Sequence, residues 1–408
     1  MKSFLEYITE SKNTHMTHLE DAVIYGGVVG ARDAIRALIS MRNMLAGHSS
    51  TQHKATVKWD GAPAIFAGQD PTDGQFFVAK KGVFNKDPKV YKTKKEIDAD
   101  LSGDLAKKFH HALVEFSKLG IKGVIQGDLM FTKGDLGKEK IDGESYITMH
   151  PNTIVYAVPA DSETARKLLK ANIGVVWHTS YEGATFETMK ASFGVDVSKL
   201  NQVPTVWQQD AFLTDLSGSA TMTAKQTAAV DAALGEAGKL FGKISSSTLK
   251  QIEYNQEFAR TIETFNNTFI RSRTEIKDTK KHVTNLIKWA QRKFNKEIAS
   301  RKSEKGKTSQ KEKRDAYIKF FTNENKDNLK KIFDLQNVIV RAKDMIVHEL
   351  DQLKNIGTFI KTTKGFRVTK GEGFVAIDHL SGGAYKLVDR LEFSSNNFDP
   401  DIIKGWDK

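Results

Sequence analysis

The 408-residue chain has no cysteine, which excludes disulfides, thiolate nucleophiles and cysteine zinc sites and fits a reducing compartment. No apolar run approaches the roughly 20 residues of a membrane span. A secretory signal with a charged start and a small-residue cleavage site is also missing. The expectation is an intracellular protein without membrane contact. Eleven histidines show no HExxH or similar metal spacing, and His110-His111 reads as the surface of a helix. The glycine cluster at residues 26–30 lacks GxGxxG spacing and a preceding strand, so it reads as a turn or helix break.

What is present is ordinary in bulk and uneven in charge. Hydrophobic residues make up 39% and charged residues 27%, as in a soluble globular protein, and the length allows two or three domains. A net charge of +12 makes a polyanion the expected partner. Residues 271–314 hold sixteen Lys/Arg against five Asp/Glu, so this segment alone carries +11 and the remainder is nearly neutral.

Residues 55–64, Ala-Thr-Val-Lys-Trp-Asp-Gly-Ala-Pro-Ala, read as a short strand that delivers Lys58 to the lip of an Asp60-Gly61 turn. An amine so placed can lie against a nucleotide phosphate, and it attacks when burial or neighbouring cations lower its pKa. A solvated lysine before an ordinary Asp-Gly turn is the plainer alternative.

Upstream, residues 18–45 have helical spacing, with Ala31, Ile35, Leu38 and Leu45 on one face and Arg42 interrupting it. Strand alternation follows at 55–58, 64–67 and 76–79, then a helix at about 95–118 and strands at 123–131, 152–158 and 173–180, with a helix at 162–171. From 223 to about 355 nearly everything reads as helix. Ile276, Val283, Ile287 and Phe294 form one stripe; Ile332, Leu335, Ile339, Ala342, Ile346, Leu350 and Leu353 form another; residues 303–310 are a polar break. The strand signal returns at 359–361, 366–369, 373–377 and 384–388. This pattern predicts an α+β unit with an all-α unit inserted into it.

Five short motifs occur in order: Lys58-Trp59-Asp60-Gly61, Lys80-Lys81-Gly82, Gln126-Gly127-Asp128-Leu129, Glu372-Gly373-Phe374-Val375-Ala376 and Tyr385-Lys386-Leu387-Val388. Together they resemble the covalent nucleotidyltransferase superfamily of ATP- and NAD-dependent DNA ligases, RNA ligases and mRNA capping enzymes. The resemblance implies an α+β nucleotidyltransferase (ATP-grasp-like ligase adenylation) domain in which Lys58 carries the lysyl-AMP. It implies nucleotide contacts from Thr56, Val57, Asp60, Gly61, Lys80, Lys81, Asp128, Tyr156, Glu372 and Lys386, with Tyr156 stacking on the base. Glu372 and Asp128 would hold Mg2+, since carboxylate and phosphate oxygens suit that ion. The activity implied is an ATP-dependent polynucleotide ligase, sealing nicks in double-stranded DNA during replication or repair.

The sequence also departs from that pattern. Residues 62–68 contain no arginine, Val388 stands where a second lysine is common, and Asp128 replaces a longer glutamate. About twenty residues follow the last motif, so no C-terminal OB domain is expected. The basic segment, with Lys302, Lys305, Lys307, Lys311 and Lys313, is the expected substitute for gripping nucleic acid; a solvated charged helix is the other reading. Residues 1–10 resemble the capsid-targeting peptides of internal head proteins of T-even-like phages, Ile8-Thr9-Glu10 matching their cleavage signal. They imply a phage protein in the host cytoplasm or packaged in a head.

The expected layout is a removable peptide at 1–14, an adenylation domain at 15–216 and 357–408, and a helical nucleic-acid-binding insert at 217–356, in a monomer. Ligation of RNA or hybrid duplexes, and a non-catalytic DNA-condensing head protein, stay open beside DNA ligation.

Overall fold

The computed structural model describes residues 16–47, 53–211, 221–322, 325–351, 356–378 and 384–406. The expected targeting peptide and the boundary near residue 217 lie outside them. In chain order the elements are α1 (Ala22–Tyr25), α2 (Gly27–Leu45), β1 (His53–Lys58), β2 (Ala64–Gln69), β3 (Phe76–Ala79), α3 (Lys94–Asp100), α4 (Gly103–Phe116), β4 (Val124–Thr132), β5 (Gly137–Ile141), β6 (Glu144–Met149), β7 (Ile154–Pro159), α5 (Glu163–Lys170), β8 (Ile173–Glu182), β9 (Lys190–Phe193) and β10 (Val206–Asp210). Helices α6 (Ala224–Phe241), α7 (Ser246–Tyr254), α8 (Gln256–Arg271), α9 (Thr279–Ser300), α10 (Glu304–Phe321) and α11 (Asn325–Asp351) follow, and then β11 (Gly357–Thr362), β12 (Gly365–Val368), β13 (Gly373–Asp378), β14 (Ala384–Leu387) and β15 (Ile402–Ile403). The architecture is α+β, and no helix among the described residues is long and apolar enough to cross a membrane.

The strands form three sheets. One is small, ordered β1-β13-β14; the second runs β10-β8-β4-β2-β3 with β9 on β8; the third runs β12-β11-β7-β6-β5 with β15 on β11. After the helices the chain returns to pair β13 with β1 and β11 with β7, both antiparallel. Helices α6 to α11 are therefore an excursion between β10 and β11.

Local chemistry explains the helix ends. Thr93 with Glu96 and Thr223 with Gln226 form capping boxes at α3 and α6, and Asp278 caps α9. The single helix expected at 95–118 is two, separated at Leu101-Ser102, with Gly103 at φ +61° opening the second. The polar break expected at 303–310 is also helix: Ser303 accepts from the Gly306 amide and α10 starts at Glu304. A lysine-rich sequence lowers apolar periodicity without opposing helix, since lysine is a good helix former.

Helix α11 buries the predicted stripe of Ile332, Leu335, Ile339, Ala342, Ile346 and Leu350 completely. Each large aliphatic side chain so buried contributes roughly 1.5–3 kcal/mol. The stripe on α9 is displaced: Val283, Leu286, Ala290 and Phe294 are buried, while Ile276 precedes the helix. Helix α2 buries Ala31, Leu38 and Leu45 in the same core, together with Val230 of α6 and Leu249 of α7. The N-terminal helices thus pack with the helical layer, and Arg42, which breaks their apolar face, pairs with Asp231 of α6 at 3.1 Å.

Candidate active site

Lys58 ends β1 directly opposite Gly373 of β13, and Val375 pairs with both Thr56 and Lys386. Opposed residues of antiparallel strands share a face, so Thr56, Lys58, Val375 and Lys386 project together. The reverse face, with Ala55, Phe374, Ala376, Tyr385 and Leu387, is sealed in the helical core. Period-two alternation therefore selects which residues of the small sheet are open to chemistry.

Glu372 enters just ahead of β13 and forms an ion pair with the Lys58 ammonium. Gly373 has φ +133°, and a Cβ there would stand 2.4 Å from the Leu387 carbonyl oxygen. This glycine beside Glu372 is thus required by the backbone of β14 itself.

Asp60 is 5% exposed and fully engaged. One carboxylate oxygen accepts from Asn152 Nδ2 at 2.6 Å; the other accepts from the Thr153 and Ile154 amides at 2.8 and 2.9 Å. Its own amide donates to the Tyr156 hydroxyl at 2.6 Å. Such a fixed carboxylate orients the turn after Lys58. Burial nonetheless raises its pKa, with the Ile154 amide and Lys58 acting the other way.

Asp128 reaches the cleft from β4, with His178 of β8 at 3.8 Å. Gly61 lets the turn approach it, because a Cβ on Gly61 would lie 2.4 Å from Asp128 Cβ. The Ala62 amide then donates to the Leu129 carbonyl at 2.9 Å, fastening the turn to β4.

The charges are mutually perturbed. Burial lowers the Lys58 pKa, but Glu372 first, then Asp128 and Asp60, outweigh it and hold Lys58 as an ammonium above its ordinary value. Burial pushes Asp128 up to about 7 against the opposing pull of Lys58. Glu372 is likewise pushed up to about 7 by burial, with Lys58 opposing and Asp60 reinforcing. His178 is held down to about 4 by burial and Lys58 and is neutral at physiological pH. Lys386 lies below its usual value through burial and repulsion from Lys58.

Of the expected nucleotide contacts, Thr56, Lys58, Asp60, Asp128, Glu372 and Lys386 converge. Lys81 is close enough for its charge to act on Asp128 and Lys386. Three others are placed differently. Lys80 is turned to Asp100 at 3.1 Å, which also takes Lys89 and Tyr91. Tyr156 is 3% exposed with its ring centroid 4.8 Å from that of Trp59, so it is a wall of the Asp60 turn rather than a free stacking surface. Val57 packs against the cores behind the sheet, its amide bonded to the Ala211 carbonyl at 2.7 Å. Asn152 and His178 complete the site without having been singled out from the sequence. His178 is legible in hindsight as the one ionisable side chain in the apolar first part of β8.

In the basic segment, Lys302, Lys305 and Lys311 are exposed. Lys307 pairs with Glu304 at 2.7 Å and Lys313 with Glu257 at 2.8 Å.

A cavity of about 60 Å³ lies beside Lys58, lined by Thr56, Asp128, His178 and Met16 among others. A small-molecule site usually offers roughly 300–1,000 Å³, so a nucleotide needs this cleft wider. The segment carrying Met16 runs along β14, with the Lys386 amide donating to the Thr17 carbonyl at 3.0 Å. Trp59 is part of the cavity wall, and its buried indole N–H has no hydrogen-bond partner. Among the described residues no group of three or more His, Asp or Glu side chains is placed to hold a metal ion. Asp128 and Glu372 supply two carboxylates here, a donor type that magnesium takes one or two of while filling its shell with water and phosphate oxygens.

Fold and site define an α+β protein with a lysine facing partly buried carboxylates where its small sheet meets a six-stranded one. The chain belongs to the family described as "Family of unknown function (DUF6267)", whose family model matches residues 13–401. No curated protein and no solved structure matches it.

Proposed function

We propose that the protein is an ATP-dependent polynucleotide ligase that works through a lysyl-AMP on Lys58, with nicked double-stranded DNA as its substrate. The observation that carries this reading is the meeting of Lys58, Glu372 and Asp128 in one cleft, with Lys386 on the same sheet face, from segments as far apart as residues 58 and 386. A structural ion pair needs two charges; two lysines and three carboxylates sharing one desolvated cleft cost stability that a purely structural role would not require.

Lys58 must shed its ammonium proton before it can attack, and Glu372, its ion-pair partner, is the adjacent group through which that proton can leave to water. The neutral Nζ then attacks the α-phosphorus of ATP, forming the N–P bond as the bond to pyrophosphate breaks. Lys386 and Lys81 supply positive charge for the phosphate oxygens, and Asp60 keeps the turn rigid. When bound by Asp128 and Glu372, magnesium would neutralise charge developing on those oxygens. A 5′-phosphate of the nick takes the AMP as the N–P bond breaks, and the 3′-hydroxyl displaces AMP to form the phosphodiester.

The test is incubation with magnesium and α-labelled ATP. An acid-labile protein label that is absent from Lys58→Ala is the expected result. No label from ATP, GTP or NAD would overturn the proposal and leave a nucleic-acid-binding role. If label forms, nicked DNA, RNA and hybrid duplexes distinguish the substrates.

A further inference from the structure

A cavity far larger than the one at Lys58 lies elsewhere among the described residues. It measures about 720 Å³ and lies between α6, the end of α8 and the connection after it, α11 and the turn at residues 389–391. That volume falls within the roughly 300–1,000 Å³ typical of small-molecule sites. Val230, Phe333 and Val340 are among its apolar walls, and Asp21, Asp344 and Arg390 are among its polar ones.

The polar part carries unmet hydrogen-bonding capacity. Asp21 is 1% exposed, and its Oδ2 accepts from Arg390 at 3.0 Å while its Oδ1 has no partner. Asp344 Oδ1 is likewise buried without a hydrogen bond; the nearest cation, Lys343, is 3.9 Å away. An unpaired buried acceptor costs roughly 1–3 kcal/mol, so these two oxygens are unsatisfied in a way that a ligand could relieve.

Charge gives the ligand's sign. Lys343 is paired with Glu20 at 3.0 Å and Arg390 with Asp21, so the buried cations are already used. The lining has six Asp/Glu against four Lys/Arg, an excess of two carboxylates inside a protein whose net charge is +12. Burial pushes Asp344 up to about 7 and Asp21 also upward, the response of carboxylates short of a cation. Arg390 Nε, the remaining unpaired donor, needs only a water, for which the cavity has room.

We propose that this cavity is a binding site for an aliphatic polyamine, with methylene segments against Val230, Phe333 and Val340 and ammonium groups at Asp21 and Asp344. Acceptors set among apolar walls match a chain that alternates hydrocarbon with positive charge. A compact inorganic cation would leave the walls uncovered. A neutral apolar molecule would leave the two oxygens unmet. The site is independent of the chemistry assigned to Lys58.

The test is calorimetric titration of the full chain with spermidine, at a salt concentration that screens surface charges. Wild type should show saturable one-site binding, and a neutral diol of equal length should not. Asp344→Asn removes a charged acceptor near the cavity edge, and Val340→Trp fills the space. Each should weaken spermidine binding by about tenfold or more, with folding verified by circular dichroism. Labelling of Lys58 by ATP is the separate readout of the other site and should be unchanged in Asp344→Asn. Absence of saturable binding, wild-type affinity in either folded variant, or equal binding of the diol overturns the proposal.

Discussion

Glu372 grips Lys58 from the residue immediately before Gly373, which is the register partner of Lys58 itself across β1 and β13. The ion pair is therefore written into strand pairing, and any slip of that register would separate the two charges.

The first prediction concerns the state of Lys58. Because Glu372 is the leading influence that raises its pKa, Glu372→Gln should lower it and enlarge the neutral fraction at a given pH. The rate at which an amine-directed reagent modifies Lys58, followed by peptide mass spectrometry across pH, should rise in the variant. An unchanged pH profile would mean that the carboxylate does not control the amine.

A second prediction follows from Asp128. Its carboxyl titrates at about 7 in the fold, against about 4 in an unfolded chain. Between those values the folded state binds the extra proton, so this residue's contribution to stability falls as pH rises. Asp128→Asn should therefore gain stability relative to wild type from about pH 4 to about pH 7. Urea midpoints measured over that range check it, and a difference independent of pH would contradict it. The same variant should lose self-adenylylation, because a neutral amide is a poor magnesium ligand.

Close packing of the turn supplies a third. Gly61→Ala brings a Cβ within 2.4 Å of Asp128 Cβ and 3.1 Å of the Leu129 carbonyl. Relief requires moving the turn or β4, at a cost of about 1–3 kcal/mol. Denaturation should show that loss, and ATP labelling should fall with it. A variant of wild-type stability would show that the turn has slack.

The fourth concerns nucleic acid. Since Lys307 and Lys313 are already paired with acids, changing Lys302, Lys305 and Lys311 to glutamine should weaken DNA binding nearly as much as changing all five. The slope of log affinity against log salt should shrink by about 0.9 for each duplex phosphate that is no longer neutralised. Lys58 labelling should persist. Equal loss of labelling and binding would remove the division of labour between sheet cleft and helical layer.

Much of this was readable from residue order, for reasons that differ by element. The strands flanking the helices are marked by alternation, and β11 to β14 fall within a residue or two of the expected positions. The α11 stripe is long enough for its period to be unambiguous. The β5–β6 hairpin was not anticipated, although Asp142-Gly143, with φ values of 51° and 90°, is a strong local turn signal; its strands are short and mostly polar. The motif residues gave Lys58, Asp60, Asp128, Glu372 and Lys386 without their neighbours. Lys80 and Tyr156 could not be placed from sequence, because each has a partner far along the chain or on another strand: Asp100 for one, the Asp60 amide and Trp59 for the other. The Asp21, Lys343 and Arg390 cluster was invisible for the same reason, Asp21 standing hundreds of residues before the other two.

The shared back of the small sheet has a practical consequence. Phe374, Ala376, Tyr385 and Leu387 are at most 3% exposed because helices cover them. Trimming residues 224–351 to obtain a smaller protein would strip α11 from β13 and β14, uncovering apolar surface on the strand that carries Lys386. The helical region behaves as a partition wall common to two rooms, and a truncated protein would clump before its chemistry could be assayed.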